Sequence, residues 1–370
     1  MVWGEPMGRY FPRSERFLAD TLSAVRADLA IYVFVLIYLL IGAVYVQLSG
    51  LGGMADYNVY CTGCIALVLV VLPYATMTLG AARVAFMSSG SRSLAWRTLF
   101  APRRVARGLA GTLLMLVLLL LFQAMYISVK TTFSAGSFPF DPVIADIDQA
   151  IHFGTAPARW FAFLRVDWLL RVVEFNYDAI WFPFWLCTLY WFCVSPRADG
   201  LRVRFVLTFT LAWAVIGNVV AGIFVTAGPA FYGLATGDSH RFAPLHSFLQ
   251  SSSNTTEATQ AYLWAMHQAG TAGLGTGISA FPSMHVAVTT VCALFLSELD
   301  KRWRIPAWSF VAIILISSVY LGWHYAVDGY AAILLTVALY WAVNAAPNLL
   351  RVRFAKMRTA AVPVVVPSDP

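Results

Sequence analysis

Eight apolar runs dominate this chain and restrict what it can fold into. A helix needs about 20 apolar residues to cross the hydrocarbon core of a bilayer. Of the 370 residues, 60% are hydrophobic and 12% are charged, whereas soluble domains average about 45–50% apolar and about 25% charged residues. The composition therefore indicates an integral membrane protein. The runs cover approximately residues 29–48, 59–82, 109–129, 173–194, 205–226, 284–298, 306–323 and 329–346.

Lysine and arginine are distributed unevenly among the loops and predict the orientation of the spans. With the amino terminus in the cytoplasm, 20 of the 25 basic residues fall on the cytoplasmic side, in agreement with the positive-inside rule. This distribution predicts both termini inside. It also accounts for the net charge of +7 without a nucleic-acid partner. The excess of arginine over lysine favours a GC-rich bacterium, so we expect the outer side to be the periplasm or the cell exterior.

The predicted spans divide the chain into four parts. Residues 1–28 form a cytoplasmic N-terminal segment, and residues 29–108 supply two additional transmembrane helices with a basic cytoplasmic loop. Residues 109–346 form a six-helix catalytic core, with helices lying on the membrane surface in its outer loop at 130–172. Residues 347–370 form a disordered cytoplasmic tail. The expected fold is an all-α polytopic membrane helix bundle of about eight transmembrane helices.

Polar residues flank two neighbouring apolar runs at the same predicted membrane face. Pro282-Ser283-Met284-His285 precedes the sixth run, and His324-Tyr325-Ala326-Val327-Asp328 follows the seventh. If these runs are antiparallel helices, the two histidines lie at the same end of the pair. His324 and Asp328 are four residues apart and face the same way on one helical turn. Ionisable groups at a membrane are costly and usually functional, so this pattern indicates a catalytic site on the outer face.

These segments resemble the second and third motifs of the type 2 phosphatidic acid phosphatase superfamily. The second-motif resemblance is carried by Pro282-Ser283-Met284-His285. The third is carried by Ser317-Ser318-Val319-Tyr320-Leu321-Gly322-Trp323-His324-Tyr325-Ala326-Val327-Asp328. The resemblance is best over residues 200–346 and implies six core helices and lipid phosphate chemistry.

The chemistry of the residues agrees with this resemblance. A carboxylate one turn away keeps a histidine in the tautomer and orientation of a nucleophile, so we expect His324 to form a phosphohistidine with Asp328 accepting its other N–H. His285 would protonate the departing oxygen and then act as a base. The two imidazoles must lie within about 8 Å, since contacts of about 3–3.5 Å are needed on either side of the phosphate. Ser283 and the backbone N–H groups from Met284 onward would hold phosphate oxygens.

Three cations that the resemblance leads one to expect are missing. Gly228-Pro229 stands in the place of Arg-Pro, Ser318 stands in the place of the third-motif arginine, and no lysine lies near position 221. A phosphomonoester carries about −1.5 to −2 charges at neutral pH, whereas a phosphodiester carries one. The cation-poor site therefore favours a diester. The residues that could restore positive charge are Lys130, Arg241 and His240. The predicted substrate contacts are Ser283, Met284, Gly228, Pro229, Lys130 and Arg241.

The leading interpretation is a phosphotransferase that moves a phospho-head-group from a phospholipid to a lipid alcohol. In this respect the sequence is similar to fungal inositol phosphorylceramide synthase and sphingomyelin-synthase-like enzymes. The alternative is a lipid phosphate phosphatase acting on phosphatidate or polyprenyl (pyro)phosphate through the same catalytic triad of His324, His285 and Asp328. A non-catalytic lipid-binding protein is the third interpretation. No spacing predicts a metal site or a cofactor, and the oligomeric state is left open.

Other polar residues in the spans have two interpretations each. Glu174, Asn176, Tyr177 and Asp178 at the outer start of the fourth span either line a substrate groove or anchor the helix end. Asn218 in the fifth span either contacts substrate or forms an interhelical hydrogen bond. The C-x-x-C pair at 61 and 64 is more typical of helix packing than of a metal site.

Overall fold

The computed structural model describes residues 13–50, 65, 67–87, 89–251, 255–271 and 275–360. The regular structure of these residues is helical, with no strand among them, which confirms the all-α prediction. The predicted C-x-x-C pair, residues 1–12 of the N-terminal segment and residues 361–370 of the predicted tail lie outside the described residues.

The longer described helices are numbered here in chain order. They are α1 (Arg13–Ala27), α2 (Leu29–Leu48), α3 (Leu67–Ala85), α4 (Ser89–Leu99), α5 (Pro102–Phe133), α6 (Asp141–Ile151), α7 (residues 167–194), α8 (Pro196–Ile223), α9 (Ala243–Ser251), α10 (Thr255–Ala269), α11 (Met284–Leu299), α12 (Lys301–Tyr320) and α13 (Ala326–Ala360). The last helix continues beyond the predicted core boundary at 346 and into the predicted tail.

Six of these helices are long and apolar enough to cross a membrane, counted over the described residues: α2, α3, α5, α8, α12 and α13. The two other predicted spans are also helical. Helix α11 is apolar but has only 16 residues, and α7 extends beyond the predicted span at its N-terminal end. The short α11 is accommodated because the chain before it, through Ser283, is packed against protein and not exposed to lipid.

Helix α11 lies at the centre of the bundle and sets the position of the site. It packs against α7, α8, α12 and α13, and its side chains from Val286 to Ala293 are almost completely buried. Helix α12 runs antiparallel to it and ends at Tyr320, so His285 at the start of α11 and His324 in the next loop lie at one end of the pair, as predicted. Gly322 makes the turn at a φ of 77°.

Four of the long described helices contain π-helical turns. These turns cover Leu67–Val71 in α3, Val117–Phe122 in α5, Phe175–Ile180 in α7 and Ala212–Val220 in α8. Such wide turns often occur at functional sites. The cavity described below is bordered by three of these helices, α5, α7 and α8.

A buried ion pair attaches the N-terminal helices to the core. Arg107 Nη2 donates to Asp28 Oδ2 at 2.7 Å and to the carbonyl of Cys193 at 3.1 Å. Arg107 Nη1 donates to the carbonyl of Ala24 at 3.0 Å, and Arg202 Nη1 lies 3.9 Å from Asp28 Oδ1. The side chains of Asp28 and Arg107 are 0% and 7% exposed. Helices α1, α5, α7 and α8 therefore meet at this one charge cluster.

Replacing Arg107 with leucine should destabilise the protein strongly, because Asp28 would be left buried and without its closest cation. Breaking a buried pair costs about 3–5 kcal/mol of unfolding free energy. The double variant Asp28→Leu/Arg107→Leu should recover most of the loss, because two apolar side chains replace the pair. Thermal unfolding in detergent measures both effects, and Arg103→Leu is the control because its partner Asp20 lies 3.9 Å away at the surface. Equal melting temperatures for Arg107→Leu and Arg103→Leu would contradict this assignment.

Candidate active site

His324 is held in a defined tautomer by two acceptors. Its Nδ1 atom lies 2.7 Å from the carbonyl oxygen of Ala280 and 3.3 Å from Oδ2 of Asp328. A carbonyl oxygen can only accept, so Nδ1 carries the proton and Nε2 keeps its lone pair. The nearer partner is thus a backbone carbonyl, which the sequence did not indicate. Asp328 is the more distant acceptor of the same N–H.

Asp328 also organises the backbone around the histidine. It is fully buried, and its Oδ2 atom accepts the N–H of Tyr325 at 3.0 Å. Its own carbonyl accepts the N–H of Ser283 at 3.2 Å, which joins the start of α13 to the start of α11. The hydroxyl of Ser283 accepts the N–H of Val286 at 3.5 Å and is buried as an N-terminal cap. Ser283 does not line the cavity, although the sequence predicts it as a phosphate donor.

Two aromatic rings hold His285, Tyr177 by stacking and Trp181 in a tilted contact. Its ring lies between those of Tyr177 and Trp181, at centroid distances of 4.2 Å and 4.0 Å. The indole N–H of Trp181 donates to the carbonyl of His285 at 3.2 Å and to the hydroxyl of Thr289 at 3.1 Å. The ring centroids of His285 and His324 are 6.4 Å apart. This separation is within the distance that a phosphate can bridge.

A cavity of about 310 Å³ opens in front of both histidines. Met284, His285 and His324 line it, together with aromatic side chains from α5, α7 and α8. These aromatic residues are Tyr126, Tyr177, Trp181 and Trp213. The cavity is therefore largely apolar and extends along the helices into the bundle. Among the described residues, no cluster of His, Cys, Asp and Glu side chains could hold a metal ion.

Lys130 is the one lysine or arginine among the described residues that line this cavity. Arg241, a predicted substrate contact, does not line it. Its guanidinium donates to Asp146 at 2.7 Å and to Gln149 at 3.1 Å, both on α6. His240 is exposed on the same loop. Of the three candidates for restoring charge, Lys130 alone lines the cavity that the two histidines also line.

Gly228, followed in the chain by Pro229, lies against the backbone that precedes His324. Gly228 has a φ of 91°, and a Cβ added to it would lie 2.8 Å from the carbonyl oxygen of Trp323 and 2.9 Å from Cβ of Ala280. Neither Gly228 nor Pro229, both predicted substrate contacts, is among the described residues that line the cavity. Ser318 is buried, and its hydroxyl donates to the carbonyl of Leu315 at 2.7 Å. Neither departure from the expected motifs places a donor in the cavity.

The structure also separates the alternatives for the other polar residues. The carboxylate of Glu174 accepts the backbone N–H of Thr255 and both the backbone N–H and the hydroxyl of Thr256. Glu174 therefore anchors the start of α10. Tyr177 and Asp178 line the cavity. Asn218 donates to the hydroxyl of Tyr38 at 2.5 Å and forms the interhelical bond.

Sequence reasoning missed three contributions to the site. These are the ring contact of Trp181 with His285, the carbonyl of Ala280, and the carboxylates of Asp141 and Asp148 on α6. Tyr177 and Trp181 are four residues apart, and Asp141 and Asp148 are seven apart. Each spacing places the pair on one helical face, which is the signal that could have marked them.

A sequence profile of the PAP2 superfamily matches residues 142–342, which is more than half of the chain. The chain therefore belongs to the PAP2 superfamily. Membership supports lipid phosphate chemistry of the phosphatase or phosphotransferase type. The match begins within α6, so Lys130 on α5 lies before it. No match was found among curated proteins or among solved structures.

Replacing Gly228 with alanine should disrupt the site, because the new Cβ would collide with the backbone next to His324. The alanine would also have to adopt a φ that is unfavourable for any residue other than glycine. Gly237→Ala is the matched control, since Gly237 has a φ of 84° and nothing within 4 Å of its added Cβ. Both variants carry strain of about 1–3 kcal/mol, and only Gly228→Ala should also lose activity. Parallel melting curves and turnover assays distinguish strain from collision. Equal activity in the two variants would argue against the close approach.

Proposed function

We propose that this protein is a membrane phosphotransferase that moves a phospho-head-group from a phospholipid to a lipid alcohol. The observation that carries this proposal is Lys130 as the one lysine or arginine among the described cavity-lining residues. One ammonium matches the single charge of a phosphodiester. A monoester brings about −1.5 to −2 charges, and the excess would be costly in a largely apolar cavity.

In the first step, Nε2 of His324 attacks phosphorus. The bond from phosphorus to the diacylglycerol oxygen breaks. That oxygen keeps the electron pair of the bond and accepts a proton from the protonated His285. Phosphorylation makes the ring of His324 cationic. Its Nδ1–H continues to donate to the carbonyl of Ala280 and to the carboxylate of Asp328. Lys130 faces the charge of the phosphate. The head group stays attached to phosphorus.

In the second step, the hydroxyl of the acceptor alcohol attacks phosphorus. His285, now neutral, takes the hydroxyl proton as a general base, and the electron pair of the N–P bond returns to Nε2 of His324. Both histidines regain their starting states. The apolar lining around them, including Trp181 and Trp213, disfavours water as the competing nucleophile.

The proposal includes the location of the chemistry. Both histidines lie at the end of the α11–α12 pair that is opposite the basic hinge at Lys301 and Arg302. By the positive-inside rule, that hinge is cytoplasmic, and the site faces the periplasm or exterior of a bacterial plasma membrane. Both termini are then cytoplasmic.

Purified protein incubated with a head-group-labelled phospholipid and a lipid alcohol should transfer the labelled phosphate to the alcohol. His324→Ala should lose at least about a thousandfold in turnover, because the nucleophile is removed. Lys130→Met should lose about tenfold or more in kcat/KM, since a charged hydrogen bond to substrate is worth about 1.5–3 kcal/mol. Arg241→Met, which removes a cation of the same outer face, should stay within about twofold.

The contrary result is release of free phosphate from phosphatidate or polyprenyl phosphates with no head-group product. That outcome would assign the same triad to a phosphatase. Full turnover in His324→Ala would instead indicate a non-catalytic role for the motif.

A further inference from the structure

Two carboxylates on α6 are buried against the loop that carries His324. Asp141 and Asp148 lie seven residues apart on one helical face and are 0% and 4% exposed. Asp146 on the same helix has a side chain that is 72% exposed and pairs with Arg241. Helix α6 therefore has a distinct inner face, and neither of its two buried carboxylates lines the cavity.

Asp141 accepts three hydrogen bonds from two separate loops. Its Oδ2 atom accepts the N–H of Ala227 at 2.6 Å, and its Oδ1 atom accepts the N–H of Gly228 at 2.9 Å. The hydroxyl of Tyr325, the residue after His324, donates to Oδ1 at 2.6 Å. Burial raises the pKa of Asp141 above its usual value, and the three hydrogen bonds offset only part of this increase. The carboxylate thus joins the Gly228 turn to the histidine loop.

Asp148 holds the other end of the same loop. Its Oδ1 atom accepts the N–H of Val327 at 2.9 Å, close to the start of α13. Its carbonyl lies 2.6 Å from Nδ1 of His152, and Nε2 of that ring lies 3.0 Å from the hydroxyl of Tyr330. Helix α6 is therefore attached to the loop and to α13 on both sides of Asp328.

Along residues 324–328, the contact between His324 and Asp328 encloses the two contacts with α6. Tyr325 and Val327, which lie between them, are bound by Asp141 and Asp148. The Gly228 turn that Asp141 holds also packs close to Ala280, since a Cβ added to Gly228 would lie 2.9 Å from Cβ of Ala280. The carbonyl of Ala280 accepts the Nδ1–H of His324. One carboxylate consequently connects the histidine, its carbonyl acceptor and the turn between them.

We propose that Asp141 is a positioning residue of the active site. Through Tyr325 and the Gly228 turn, it keeps the His324 ring on the Ala280 carbonyl, with Nε2 placed for attack. It acts through these groups and does not itself touch substrate. This role applies to either a transferase or a phosphatase, and its turnover test depends on the proposed chemistry.

Asp141→Asn and Tyr325→Phe should each lower kcat by about tenfold to a hundredfold, because displacements of about 1 Å can cost about a hundredfold in rate. KM for the phospholipid should stay within about twofold, since neither side chain lines the cavity. The double variant should lose less than the product of the two single losses, because both act through one hydrogen-bonded network. Asp146→Asn, on the exposed face of α6, is the matched control and should retain full activity.

A second measurement does not require turnover. In protein with ¹⁵N-labelled histidine, the Nδ1–H resonance of His324 is identified by its loss in His324→Gln. It should shift in Asp141→Asn and Tyr325→Phe and stay in place in Asp146→Asn. If the wild type transfers no head group, the proposed function fails, and this resonance still tests Asp141.

Two results would overturn the proposal. One is an unchanged His324 resonance in a folded Asp141→Asn or Tyr325→Phe variant. The other is a kcat for Tyr325→Phe within about twofold of the value for Asp146→Asn. If Asp141→Asn does not fold, Tyr325→Phe carries the test alone, because it removes one hydroxyl from the same contact.

Discussion

The hydrogen bond from Nδ1–H of His324 to the carbonyl of Ala280 is the interaction on which the rest of the site depends. It assigns the proton to Nδ1 and leaves Nε2 nucleophilic. It also joins the loop before α11 to the loop after α12, so this contact between a side chain and the backbone brings the two histidines together. In the proposed mechanism, Asp328, at 3.3 Å from the same atom, balances the positive charge that develops on the ring.

The scarcity of charge in front of these histidines is the basis of the proposed preference for a diester. Among the described residues that line the largely apolar cavity, Lys130 is the one lysine or arginine, and aromatic side chains from α5, α7 and α8 surround it. The positions where related sequences lead one to expect cations are used for packing here. Gly228 lies against the backbone at Trp323, and the hydroxyl of Ser318 is bonded within its own helix. Chemistry and fold are thus coupled through close packing at these two positions.

The helices and the contact between His324 and Asp328 could be predicted from sequence because each is a local pattern. Apolar runs mark helices, and the four-residue spacing of His324 and Asp328 brings the two side chains together. The Ala280 carbonyl, the ring contact of Trp181 with His285 and the Asp141 contacts could not be predicted, because each joins segments far apart in the chain. Ser283 illustrates that one residue type can serve two roles. A serine before a helix fits a phosphate donor and a helix cap equally well, and in the structure its hydroxyl caps α11.

The central claim is a covalent intermediate in which the head group remains on phosphorus while the lipid parts exchange. Mass spectrometry of the peptide containing His324, after rapid alkaline quenching of the protein with phospholipid alone, examines it most directly. We predict an added mass of phosphate plus head group on His324, absent from His324→Gln. An added mass of phosphate alone, or an adduct on any other residue, would contradict the account.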